Sequence, residues 1–218
     1  MQISKEEVFK QLSLFPGTRY MGSKEKLLPA LFETFNELEF NSALDLMSGT
    51  GVVSYLFKSM GKEVISNDYM HMNHVIAKAL IKNNSSKIAQ LEAKKLIKLN
   101  TSSRFVSETF DGLYYDKDDS NMIDNIRNNI NELSNLTRKN IALTALIRSC
   151  IKKRPRGIFA YTGLRYNDGR KDLRLSLNEH FLSNIEIINN AIFTNKKKNK
   201  ARSFFIIKEI HTWQYKNS

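Results

Sequence analysis

Two short stretches carry residues whose types and spacing suit ligand chemistry: Asp45-Leu-Met-Ser-Gly-Thr-Gly51 and Ser66-Asn-Asp68. Glycine takes up φ > 0 without steric cost and lets a backbone lie close against a ligand. A helix that starts just after such a turn offers unsatisfied N–H groups to the same place. In open α/β sheets the crevice at the carboxyl ends of the strands is where nucleotide-like ligands sit. Val52-Val53-Ser54 follows the turn, so the third glycine that seats a dinucleotide pyrophosphate is missing, and no Gly-Lys-Ser/Thr phosphate loop exists. Asp68 stands where a carboxylate can accept ribose hydroxyls. Together these residues suit a nucleoside without phosphates and with a charged amino-acid tail, of which S-adenosylmethionine is an example. A bare tight turn, and a strand-end aspartate that only caps a helix, are the competing readings.

The elements that must position these residues follow from the hydrophobic pattern. Ala43 to Met47 reads as an apolar strand, Val52 to Met60 as a helix ended by Gly61, and Glu63 to Asn67 as a second strand closed by Asp68. Strand, glycine turn, helix and strand within about 30 residues make a βαβ unit, whose strands are parallel. Before it, residues 1–18 form an amphipathic lead-in closed by Pro16-Gly17. Lys24 to about Phe40 is predicted helical, with Leu27, Leu28, Leu31, Phe32 and Phe35 on one face and Pro29 in the first turns, where proline is tolerated. After it, residues 70–98 are helical and 100–118 irregular. Ser120 to about Lys152 is helical again, with Ile123, Ile126, Ile130 and Leu133 on one face, and Leu177 to Phe193 is a last helix.

Composition narrows the partner. In 218 residues, 34 basic against 22 acidic side chains give a net charge of +12, which points to a polyanion, most simply nucleic acid, with plain solubility as the alternative. The charges concentrate in a loop from Lys152 to Arg174, which holds Lys152, Lys153, Arg154, Arg156, Arg165, Arg170, Lys171 and Arg174 interleaved with Phe159, Tyr161 and Tyr166. That mixture suits phosphate contact and base stacking. A single cysteine, Cys150, fits a reducing, cytoplasmic compartment and reads as a small buried apolar residue. Four scattered histidines argue against a metal site. No apolar stretch is long enough to span a bilayer, and the amino-terminal MQISKEEVFK is not a signal peptide.

In five ordered places the sequence resembles the adenine-N6 DNA methyltransferases of the Dam type. Arg19-Tyr-Met-Gly-Ser-Lys24 before Leu27-Leu28 resembles the family's opening motif, with Gly22-Ser23 where members often have two glycines. Asp45 to Gly51 resembles the cofactor loop, and Ser66-Asn67-Asp68 the acidic motif that grips a ribose. Leu113-Tyr-Tyr115 through Arg127 is similar to the start of the family's helical region, and Asn190-Ala-Ile-Phe193 to the segment shortly before its catalytic strand. The resemblance implies S-adenosylmethionine as cofactor, held by Tyr20, Lys24, Asp45, Ser48, Gly49, Gly51 and Asp68. It implies double-stranded DNA as substrate, contacted through the basic loop, in a bacterial or phage restriction-modification or DNA-methylation system. The expected fold is a Rossmann-like α/β methyltransferase core with an incomplete parallel sheet and a mainly helical recognition region. Residues 1–100 form the cofactor part, 101–202 the helical region, and 203–218 a tail.

The family's chemistry rests on Asp-Pro-Pro-Tyr or a close variant. This chain has three prolines, Pro16, Pro29 and Pro155, and no two are adjacent. No catalytic residue is therefore expected here. The sequence is expected to be truncated or one part of a split enzyme, inactive alone and completed by a second polypeptide that carries the motif. The alternative is a non-catalytic DNA-binding or regulatory subunit that kept the cofactor fold.

Overall fold

The computed structural model describes residues 3–18, 22–99, 104–110, 113–154 and 169–203. In chain order the elements are α1 (Lys5–Leu12), α2 (Leu28–Asn36, entered through a 3-10 turn at Glu25–Leu27), β1 (Ser42–Asp45), α3 (Val52–Ser59), β2 (Glu63–Asp68) and α4 (His71–Ala77). A π-helical turn at Lys78–Lys82 continues α4, and α5 (Gln90–Leu96), α6 (Phe105–Thr109), α7 (Lys117–Asn131), α8 (Leu136–Lys153), α9 (Leu177–Ala191) and β3 (Lys200–Ser203) follow. Two compact units result. One gathers residues 1–17, 22–85 and 191 onward; the other is essentially 86–190. The breaks fall at 85 and 190, where the sequence suggests 100 and 202, because the segment after α9 returns to the first unit.

The first unit is built on a parallel sheet in the order β1-β2-β3. Asp45 lies opposite Ser66 across the first ladder, and Asp68 opposite Ser203 across the second. Parallel strands need a crossover, and α3 supplies it between β1 and β2. Its Val52, Tyr55, Leu56 and Phe57 are buried. The Tyr55 hydroxyl donates to the Ala191 carbonyl at 2.6 Å and accepts from Gln11 Nε2 at 2.7 Å, which ties α3 to α1 and to the returning chain. α1 is fixed at its start by a capping box between Ser4 and Glu7.

Strand β3 has no hydrophobic signature, and its sequence reads as the end of a lysine run. Asparagines put it in register instead. Asn199 Oδ1 accepts the Val64 N–H at 3.0 Å, Asn199 Nδ2 donates to Asn195 Oδ1 at 2.8 Å, and Asn195 Nδ2 reaches the Lys62 carbonyl at 2.9 Å. β2 is therefore the middle strand. Among the described residues β1 has no neighbour on its other side, and Leu44 of β1 and Met47 in the turn that follows are 49% and 65% exposed.

The second unit is helical. The predicted helix from Ser120 to Lys152 is two helices, because Asn135 accepts the N–H groups of Thr137 and Arg138 and so starts α8 afresh. Asp116 caps α7 in the same way. The segment expected to be irregular holds α6, whose first-turn N–H groups of Val106 and Ser107 both donate to Asp124 at 2.8 Å. Ile123, Ile126, Ile130, Ile141, Ala145, Phe181 and Ile188 are buried in this unit. No helix among the described residues is long and apolar enough to cross a membrane.

Candidate cofactor site

The site begins where β1 ends. After Asp45 the chain turns through Leu46 to Thr50 with Gly49 at φ 53° and Gly51 at φ 81°. A Cβ on Gly51 would meet nothing closer than Ile81 Cγ1 at 4.0 Å, so the left-handed backbone, and not lack of room, requires glycine there. The turn is pinned to the end of β2: Ser48 N–H donates to the Asn67 carbonyl at 2.9 Å, and Asn67 Nδ2 to the Leu46 carbonyl at 2.9 Å. Gly51 has no side chain to cap α3, so the helix presents its first amides at the turn. The Ser48 hydroxyl oxygen is buried and has no hydrogen-bond partner among the described residues.

Two carboxylates flank this turn. Asp68 is 5% exposed; its Oδ2 accepts the Gly49 N–H at 2.8 Å, and its Oδ1 accepts from Met70 N–H at 2.9 Å and Asn73 Nδ2 at 3.0 Å. An ionised carboxylate has about four acceptor sites, so about one is left for a ligand hydroxyl. The two roles weighed from sequence, ligand acceptor and helix cap, thus compete for the same oxygens. Asp45 Oδ2 accepts the Ser54 hydroxyl at 2.7 Å. Burial raises the Asp45 carboxyl above its ordinary value, the Ser54 hydroxyl and backbone N–H oppose that, and the nearby charge of Asp68 adds to the rise.

These features fit S-adenosylmethionine better than a phosphate ligand. Two acids at one crevice of a chain of charge +12 repel phosphate and attract an ammonium or sulfonium. The orphaned Ser48 hydroxyl and the first amides of α3, apart from the Ser54 N–H that Asp45 accepts, leave polar groups for an uncharged or carboxylate part of the same ligand. A cleft of about 500 Å³ opens elsewhere in the unit, beside Phe32, Phe35, Met60, Gly61 and Lys62. It lies towards the amino ends of the strands and includes no residue of the glycine turn. Lys62 Nζ there is already engaged with the Phe40 carbonyl at 2.8 Å, so the chemistry favours the carboxyl-end crevice.

Asp45, Ser48, Gly49, Gly51 and Asp68 are brought together. Lys24 is exposed, and its Nζ turns back to the Gly22 carbonyl at 3.1 Å, with no hydrogen bond to the turn among the described residues. Tyr20 lies outside the described residues, as do Arg156, Arg165, Phe159, Tyr161 and Tyr166. The other basic residues separate into two kinds. Lys153 pairs with Asp119 at 3.1 Å, both side chains under 15% exposed, and Arg154 is buried with its guanidinium 4.4 Å from the centre of the Tyr114 ring. Lys171 and Arg174 are exposed, while Lys152 and Arg170 are half-buried, with Lys152 Nζ 4.0 Å from Asp172. Ser54 and Asn73 are polar residues of the site that sequence reasoning missed, and Ser66, named there only as part of the acidic motif, was given no role of its own. The register that puts Ser66 opposite Asp45 could be found only once the ladder was known. Among the described residues no group of His, Cys, Asp and Glu could hold a metal.

The sequence matches the D12 class N6 adenine-specific DNA methyltransferase family over residues 20–212, and the chain belongs to that family. It is similar to the Type II methyltransferase M2.HphI of Haemophilus parahaemolyticus, with 26% identity over 200 residues, which cover 86% of this chain and 59% of the relative. It is 40% identical over 70 residues to the Type II methyltransferase M.FokI of Planomicrobium okeanokoites, and 43% identical over 70 residues to the modification methylase StsI of Streptococcus sanguinis. Each of those alignments covers 31% of this chain and 11% of the relative. The chain thus spans about three fifths of the first relative's length, at 59%, and a much smaller share of the other two. No solved structure matches the chain significantly.

Proposed function

We propose that this chain is the cofactor-binding and DNA-recognising part of a site-specific adenine-N6 DNA methyltransferase of a type II restriction-modification system, and that it transfers no methyl group alone. The family uses S-adenosylmethionine, which supplies an electrophilic methyl on a sulfonium. The observation that carries the cofactor reading is the acidic pair, Asp45 and Asp68, on either side of a glycine turn in an otherwise basic chain. Asp68 accepts a ribose hydroxyl, Asp45 faces the positive charge of the amino-acid tail, and Ser48 with the first amides of α3 binds the tail's polar atoms. Tyr20 and Lys24 complete the site on the strength of the family motif.

DNA engages the exposed Lys171 and Arg174 first, and, on the strength of the family resemblance, Lys152, Arg156, Arg165 and Arg170 of the same basic segment. Each such cation would neutralise a phosphate and release counterions. Transfer to N6 also requires the adenine to be flipped from the duplex and its nitrogen aimed at the methyl. No acid-Pro-Pro-aromatic run is present in the 218 residues to do this. The open side of β1, with Leu44 and Met47 exposed beside the glycine turn, is where a strand carrying that run would pair. The same proline count favours a second reading, a regulatory subunit that binds cofactor and DNA without chemistry.

A methyl-transfer assay with labelled S-adenosylmethionine and adenine-containing duplex DNA tests the proposal. The isolated chain is expected to give no turnover, and adding a polypeptide that bears the Asp-Pro-Pro-Tyr strand is expected to restore it. Turnover by the chain alone refutes the division of labour. Failure of every such polypeptide to restore turnover favours the regulatory subunit.

A further inference from the structure

Behind Asp45 lies a short chain of hydroxyls that no part of the family resemblance assigns. Ser54 Oγ sits 2.7 Å from Asp45 Oδ2 and 2.9 Å from Ser66 Oγ. Ser54 and Ser66 are both fully buried, Ser54 in the first turn of α3 and Ser66 on β2 directly opposite Asp45 in the ladder. A hydroxyl has one hydrogen to give, and an ionised carboxylate can only accept. Ser54 therefore donates to Asp45 and accepts from Ser66, so the order of donation runs from Ser66 through Ser54 to the carboxylate. The Ser54 backbone N–H also points at that carboxylate. Hydrogen bonds aligned in this way polarise one another and strengthen the last member.

We infer that Ser54, backed by Ser66, is a positioning residue for the amino-acid tail of the cofactor. It clamps one side of the half-buried Asp45 carboxylate, stabilises its charge, and leaves the remaining acceptor sites directed to the ligand's ammonium. The inference rests on the cofactor reading above, which gives Asp68 the ribose and Asp45 the amino-acid tail, and adds to it the two hydroxyls that hold Asp45. Two local facts favour the assignment. The clamp is built from the helix that starts at the glycine turn, so orientation of Asp45 and presentation of the first amides are set by one element. And a bond from a neutral hydroxyl leaves the negative charge of Asp45 uncompensated, whereas a lysine or arginine in its place would cancel the attraction for a cation.

The test compares ligands that share the nucleoside. Titration calorimetry of the 218-residue chain would compare S-adenosylmethionine with 5′-methylthioadenosine, which lacks both the amino-acid tail and the sulfonium charge. S-adenosylhomocysteine, an uncharged thioether that keeps the tail, is therefore titrated beside them and is expected to follow S-adenosylmethionine. Ser54→Ala is expected to weaken S-adenosylmethionine about tenfold, the order expected for a lost hydrogen bond to a charged group, and to leave 5′-methylthioadenosine unchanged. Ser66→Ala, which removes the second hydroxyl and leaves the first, is expected to give a smaller loss with the same selectivity. It also serves as the test if Ser54→Ala does not fold. Equal loss for both ligands means a purely structural role and overturns the inference, as does no loss for either. If the wild type binds neither ligand, the cofactor reading itself fails. If it binds both equally, that reading stands and the assignment of Asp45 to the ammonium falls.

Discussion

Oδ2 of Asp68 accepts the backbone N–H of Gly49 at 2.8 Å across a sequence separation of 19 residues. The glycine turn and the end of β2 are therefore one hydrogen-bonded piece, and a ligand that binds the aspartate also feels the turn. Asp68→Ala is expected to do two things at once. It removes acceptors from Gly49, Met70 and Asn73, two of them backbone amides, so stability should fall by about 1–3 kcal/mol. It should also remove detectable S-adenosylmethionine binding. Chemical denaturation with parallel calorimetry checks both, and wild-type affinity in the variant would free Asp68 from any ligand role.

Lys58 gives a pH signature to the fold. It is fully buried, its Nζ donates to the carbonyls of Leu80 at 2.8 Å and Asn83 at 2.6 Å, and it sits 4.8 Å from the centre of the Phe193 ring. Burial pushes its pKa down to about 7 from 10.5. Below about pH 7 the ammonium is charged in both folded and unfolded chains, and its burial cost is carried in full. Above about 10.5 the amine is neutral in both. Between these limits the unfolded chain holds more protons, so stability should climb with pH by up to a few kcal/mol. Urea melts at pH 7 and pH 9.5 should show the rise, and Lys58→Met should flatten it while removing the hydrogen bonds to the Leu80 and Asn83 carbonyls.

The basic residues at the end of α8 should separate by experiment as they do by geometry. Lys153→Met strands Asp119 in a buried place and is expected to cost about 3 kcal/mol. Neutralising Lys171 and Arg174 should cost little stability and make the salt dependence of DNA binding shallower, by about 0.9 in the log–log slope for each phosphate that is no longer neutralised. An unchanged slope in the Lys171/Arg174 double variant would make that segment an ordinary solvated surface.

Cys150 should be inert. The residue is half-buried and not fully buried as the sequence suggests, but desolvation of its sulfur raises the thiol to about 12, with the Tyr115 side chain as its hydrogen-bond partner. At pH 8 the folded chain should react with a disulfide reagent far more slowly than the denatured chain, because the thiolate is the reacting form. Rapid labelling of the native protein would contradict this.

The βαβ unit was legible in the sequence because both of its signals are local. A glycine turn and two short apolar runs can be recognised without knowing what packs on them. The strand at Lys200–Ser203 was not, because asparagine hydrogen bonds to Val64 and Lys62, more than 130 residues away, place it, and it has no alternation to read. The break between α7 and α8 turns on one cap, Asn135, inside a segment whose helical rhythm continues on both sides. In the site, Asp45, Gly49, Gly51 and Asp68 could be named from motif order. The occupancy of Asp68 by three protein donors, and the hydroxyl chain behind Asp45, depend on register and side-chain placement that spacing alone does not encode. The basic loop misled in part, since Lys153 and Arg154 look like their exposed neighbours until Asp119 and Tyr114 are seen beside them.

The most direct measurement for the central claim is calorimetric titration of the isolated chain with S-adenosylmethionine, NAD and ATP, repeated on Asp45→Ala. The acidic crevice predicts that S-adenosylmethionine binds, that the two phosphate ligands do not, and that Asp45→Ala weakens the first. Equal or tighter binding of NAD or ATP, or no binding of S-adenosylmethionine at all, would contradict the account.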